Sequence, residues 1–136
     1  MTQSALDLIQ QWLGASPFVQ QLGMRVDKLE PDVAVLTLPF QPAHTTIADV
    51  VHGGALSTLV DTAATAAAWA GAEDTTSLRG TTVALTVNFV GAARGQDVTA
   101  TARVSRRGRT IVFVDVEATG ADGTLVARAL VTYKLG

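Results

Sequence analysis

A chain of 136 residues, 48% hydrophobic and only 16% charged, has room for one core and too little charge for a comfortable small monomer, so it is expected to hide further surface in an oligomer. A net charge of −2 without a long basic block argues against nucleic acid as a partner, and the lack of cysteine excludes disulfides, thiolate metal sites and a thiol nucleophile. The N-terminal MTQSALDLIQQWLG has no basic n-region, and no segment offers about 18 strongly apolar residues in a row, so neither a signal peptide nor a membrane span is expected and the chain reads as one soluble, cytoplasmic domain over residues 1–136.

In chain order, Ala5, Leu6, Ile9, Trp12 and Leu13 fall at helical spacing, which predicts an N-terminal helix within 1–14, with Ser4 as N-cap and Gly14 as stop. MRVDKLEPDVAVLTLPF predicts two strands around a turn at Glu30-Pro31-Asp32. The segment QPAHTTIADVV reads as a loop and leads to a long helix over roughly 53–70, which EDTTSLRG breaks. TTVALTVNFV alternates, with Val83, Leu85, Val87 and Phe89 on one face and Thr82, Ala84, Thr86 and Asn88 on the other. Three more strands follow, joined at Arg107-Gly108 and Ala121-Asp122-Gly123. Consecutive strands with short turns imply an antiparallel sheet, and one apolar helix against it makes an α+β domain.

The long helix carries the chemistry. From Ala55 to Ala70 the only charged residue is Asp61, and Ser57, Thr58, Thr62 and Thr65 have short hydroxyls able to bond their own backbone. A helix so apolar should be buried on most sides, where an unpartnered carboxylate costs several kcal/mol. A carboxylate in a cleft can serve as general base or nucleophile; the plainer alternative is a polar seam without a task. At the helix start, His52-Gly53-Gly54 puts two poor helix formers where backbone N–H groups are unsatisfied and the macrodipole is positive. Glycine lets a ligand approach those amides, which makes Gly53 or Gly54 a candidate oxyanion donor; glycines needed only for close packing are the competing explanation. Gly53 and Asp61 stand eight residues apart, roughly 12 Å along the axis, too far for one helix to aim both at the same carbonyl. If both act, the amide and the carboxylate come from two copies of the chain, related by a two-fold axis.

HGG followed by an acid nine residues after the histidine, on an alanine-rich helix, together with the strand GTTVALTVNFV, resembles the hotdog-fold thioesterases, and within them the acyl-CoA thioesterases of the phenylacetate-degradation type. The resemblance spans about Phe18 to Leu135. It implies a sheet wrapped around one central helix, dimers with a joined sheet, often tetramers built as dimers of dimers, and hydrolysis of an acyl- or aryl-CoA thioester with no cofactor beyond the coenzyme A of the substrate. In that scheme Gly53 N–H polarises the carbonyl, Asp61 of the partner subunit acts as base or nucleophile, His52 holds the loop, and Thr82 positions the attacking water. One position departs from the pattern: relatives commonly carry an Asn six residues before the HGG histidine, assisting the oxyanion or a water, and here it is Thr46, so that Thr46 itself, His44 or a water is the candidate to take over that role. Asp49 likewise falls where a glycine is common.

His44, Asp49, His52 and Asp61 do not make a zinc set, since no cysteine joins them and Asp61 lies too far along the helix from His52. Arg103, Arg106, Arg107 and Arg109 form the densest positive stretch; Arg106, Arg107 and Arg109 are candidates for the CoA phosphates, with a solvated hairpin tip as the alternative. Trp12, Phe18 and Trp69 suit a core, an interface or an acyl pocket alike. A hydratase would want a catalytic histidine in a different loop motif, whereas a non-catalytic acyl-CoA-binding module fits the Thr46 departure.

Overall fold

A computed structural model describes residues 3–72 and 79–136. Helix α1 (Gln3–Ala15) is followed by a short α2 (Pro17–Leu22), strands β1 (Arg25–Glu30) and β2 (Val33–Leu38), a 3-10 turn (Pro42–His44), a small hairpin of β3 (Thr45–Ile47) and β4 (Val50–Val51), and then α3 (Gly53–Ala70). Four long strands complete the chain: β5 (Gly80–Phe89), β6 (Val98–Arg107), β7 (Ile111–Gly120) and β8 (Leu125–Leu135). The sequence order of helix, two strands, long helix and four strands is thus observed, with α2, the 3-10 turn and the β3–β4 hairpin added. Ser4 lies inside α1 rather than capping it, α1 runs one residue past Gly14, and most of the EDTTSLRG breaker falls outside the described residues.

Six strands form one antiparallel sheet in the order β1-β2-β6-β7-β8-β5, and α3 packs across its inner face against β2, β6, β7 and β8. Small residues make the close fit possible. Ala63, Ala64, Ala66, Ala67, Ala68 and Ala70 of α3 meet a sheet face that includes Ala34, Ala100, Ala102, Ala118 and Ala127, all without exposed surface. Leu36, Leu59, Val60, Val98, Val114 and Val131 fill the space between the layers, and Ile9 and Leu13 of α1 and Val19 and Leu22 of α2 join the same core. This is the α+β hotdog arrangement that the resemblance implies, a sheet curled about one helix. No helix among the described residues is long and apolar enough to cross a membrane.

Of the register shifts in the sheet, those in β5 and β6 place candidate site residues. In β5, Thr82 pairs with Tyr133 and Ala84 with Thr132, so Val83 is the extra residue. Tyr133 faces the helix, and Thr82 therefore does too. Strict alternation would have put Thr82 on the outer face with Ala84, Thr86 and Asn88; the bulge moves it to the inner face, the usual effect of an inserted residue. In β6 the register shifts between Val104 and Arg106, so that Arg106 pairs with outward-facing Phe113 and Arg107 with buried Val112.

Strand β5 is the edge of the sheet and carries apolar residues into solvent: Val83 is 57% and Phe89 53% exposed. A ten-residue edge of this kind is a template for pairing with another chain.

Candidate active site

The helix start is built by β4 and His52. His52 is the N-cap of α3 in extended backbone, and its Nδ1 accepts the N–H of Gly54 at 2.7 Å. The His52 carbonyl takes the N–H groups of Ala55 at 3.0 Å and Leu56 at 3.1 Å. Of the four amides that open the helix, only that of Gly53 has no acceptor among the described residues. The residues alone offered Gly53 or Gly54 as donor and the resemblance implied Gly53; in the structure Gly54 N–H is spent on the imidazole. A Cβ on Gly54 would come within 2.9 Å of His52 Nδ1, so that glycine serves the cap. A Cβ on Gly53 would meet only the Phe89 ring at an ordinary 3.5 Å, so nothing inside this chain forbids a side chain there.

Asp61 stands half-buried two turns further along α3, and Thr82 Oγ1 donates to its Oδ1 at 2.6 Å. It lines an open recess of about 320 Å³ with Trp12, Phe18, Ser57, Thr65 and Leu85. Thr58 and Thr62 turn their hydroxyls back to the Gly54 and Thr58 carbonyls at 2.9 and 2.7 Å, which leaves Thr82 as the hydroxyl that orients the carboxylate. The recess opens beside the free edge of β5, because Leu85 belongs to both.

The residue that the sequence did not single out is Tyr133. It is the cross-strand neighbour of Thr82 and receives a hydrogen bond from Trp69 Nε1 at 2.9 Å. Burial pushes its phenol pKa up, the Asp61 charge adds to the rise, and the Trp69 bond opposes it. A Cβ on Gly80 would collide with the Tyr133 hydroxyl and the Trp69 ring, so Gly80 makes room for this pair. The only signal in the sequence was the pairing register of β5 on β8, which one strand alone cannot reveal.

Other candidates disperse. Thr46 is exposed on β3, and its side chain makes no hydrogen bond to another described residue. Asp49 pairs with Arg94 at 3.4 Å, and its carbonyl accepts from Gly95 at 2.9 Å. The arginines do not form one patch. Arg106 is on the outer sheet face beside Phe113. Arg107 is drawn inward, donating to Asp32 Oδ1 from Nη2 at 2.7 Å and from Nε at 3.1 Å and reaching the Ala67 carbonyl at 3.5 Å. Its guanidinium thereby ties the β1–β2 turn to the C-terminal end of α3. Arg109 is exposed, and with Arg79 and Arg107 it lines a cavity of about 620 Å³ at that end of the helix.

The sequence profile of the thioesterase superfamily matches residues 48–127, which include both the helix start and Asp61. Human acyl-coenzyme A thioesterase 13 is 30% identical over 139 residues, spanning 100% of this chain and 97% of its own. A thioesterase family protein from Silicibacter pomeroyi superposes with a TM-score of 0.89 at 28% identity, covering 97% of this chain and 99% of that one. The PaaI protein of the Escherichia coli phenylacetic acid degradation operon shares the fold, with a TM-score of 0.85 at 23% identity over 97% of this chain and 93% of its own.

Proposed function

From the premise that this chain belongs to the thioesterase superfamily and is a thioester-hydrolysing enzyme, we propose that it cleaves an acyl- or aryl-CoA thioester to the free acid and CoA in a site shared by two copies. Gly53 N–H of one subunit holds the thioester oxygen. Asp61 of the partner subunit faces the carbonyl carbon, either removing a proton from an attacking water or attacking directly. Thr82 donates to that carboxylate and orients it and the water. Attack pushes the carbonyl electrons onto the oxygen; their return breaks the C–S bond and expels the CoA thiolate, which takes up the proton that Asp61 removed from the water; where Asp61 itself attacks, the acyl–Asp61 anhydride so formed is cleaved by a water, which gives its hydroxyl to the acid and its proton to the thiolate. His52 acts through the loop, keeping Gly54 bound so that Gly53 alone points outward. Every group required is an amino-acid side chain or amide, so CoA enters only as part of the substrate. For its phosphates Arg109 is exposed at that cavity, with no side-chain partner among the described residues; Arg107 lines the same cavity but is engaged by Asp32, and Arg106 faces the other side of the sheet.

The observation that carries this reading is the division of labour along α3. One free amide at Gly53 and one oriented carboxylate at Asp61 stand about 12 Å apart on a rigid helix, beside an edge strand that offers itself to a second copy. A non-catalytic acyl-CoA-binding protein is the second reading, favoured by Thr46, whose exposed side chain has no hydrogen-bond partner among the described residues. Steady-state hydrolysis of a panel of CoA thioesters, with the released thiol detected, decides between them. Wild type is expected to turn over at least one of them, with Asp61→Asn and Asp61→Ala slower by about 10²–10⁴-fold. Binding that persists in all three proteins without turnover by wild type would establish the binder.

A further inference from the structure

At the start of α3 one polar group still has no task. His44 closes the 3-10 turn, and its carbonyl accepts the N–H of His52 at 2.8 Å. Thr45 and Val51 are the last pair of the β3–β4 ladder, so His44 and His52 adjoin one another just beyond it, and that backbone bond holds His44 against the residue that caps the helix, next to the turn that presents Gly53 N–H. Among the described residues the His44 Nδ1 is buried with no hydrogen-bond partner, whereas Nε2 is neither buried in that way nor bonded. A buried N–H without an acceptor is the rarer and costlier orphan, which favours the tautomer that carries its N–H at Nε2, the accessible nitrogen.

Building on the shared-site reading, we propose that His44 Nε2–H is the second donor to the thioester oxygen, acting with Gly53 N–H of the same subunit. It supplies the hydrogen bond that the Thr46 hydroxyl, exposed on β3 and of shorter reach, does not. His44 passes no proton to the substrate; its bond strengthens as negative charge grows on the oxygen.

The test uses the intact protein and a CoA thioester that wild type hydrolyses. His44→Ala is expected to lower kcat by roughly 10²–10³-fold, the loss typical of one oxyanion donor, with KM within about threefold. His44→Gln, whose amide nitrogen falls near Nε2, is expected to keep kcat within about tenfold of wild type, while His44→Asn, whose amide falls near Nδ1, is as slow as the alanine variant. Thermal midpoints and sedimentation of each variant separate catalysis from folding. A His44→Ala kcat within about threefold of wild type, rescue by Asn rather than Gln, or losses that track loss of folded protein would overturn the proposal. Wild type that releases no thiol would overturn it together with the shared-site reading; active wild type with an unaffected alanine variant would overturn it alone.

Discussion

Asp61 keeps its position through one short hydroxyl contact, and the chemistry assigned to it depends on that contact. Thr82→Ala leaves the carboxylate free to turn, so kcat should fall further than KM rises, and Thr82→Ser, which keeps the donor, should restore most of it; steady-state kinetics on the three proteins measures both. The neighbouring Tyr133 gives an independent check on how buried this corner is. Its phenol pKa is raised above the ordinary tyrosine value, mainly by burial, so folding favours the protonated form. That contribution is complete below the unfolded value and is lost as pH climbs through the folded one. Tyr133→Phe should therefore flatten the fall of the thermal midpoint as pH rises above the ordinary phenol range. It should also cost about 1 kcal/mol at neutral pH, because Trp69 Nε1 loses its acceptor.

The elements turn a readable pattern into a site through details that the pattern conceals. Alternation assigned Leu85, Val87 and Phe89 to the inner face of β5, as observed, but put Thr82 opposite them. The single extra residue, Val83, reverses Thr82, and a bulge leaves no mark in a lone sequence because the hydrophobic residues on its far side keep their period. The bulge in β6 likewise splits three neighbouring arginines, so that a patch legible in the sequence becomes an inward ion pair and two residues on different surfaces. By contrast α3 was legible almost to the residue: the glycines, the alanine run and the solitary acid each answer to a local rule. Helix α2 had a signal that was passed over, Pro17 at its first position and Gly23 in left-handed backbone at its end, whereas β3 and β4 are too short to have any period. Deleting Val83 tests the bulge itself. With the extra residue gone, Thr82 directly precedes outward-facing Ala84 and stays opposite Tyr133 on the inner face, so kcat should stay well above that of Thr82→Ala while the circular dichroism of the sheet is retained.

For the whole molecule the central claim is that the amide and the carboxylate of one reaction belong to different copies. The exposed apolar edge of β5 and the low charge of the chain both call for a partner, and sedimentation should show at least a dimer at working concentrations. Two variants divide the site cleanly. Asp61→Asn removes the base. Gly53→Pro removes the single free amide at the first helical position, where proline is welcome and where His52 already has the extended backbone that a following proline requires. Each is expected to be nearly inactive alone. The decisive measurement is thiol release by the purified heterodimer carrying Asp61→Asn on one chain and Gly53→Pro on the other. A shared site leaves one of its two centres intact and returns about half the wild-type rate; a heterodimer as inactive as either parent would mean that each chain uses its own amide and its own carboxylate, and the account would be wrong.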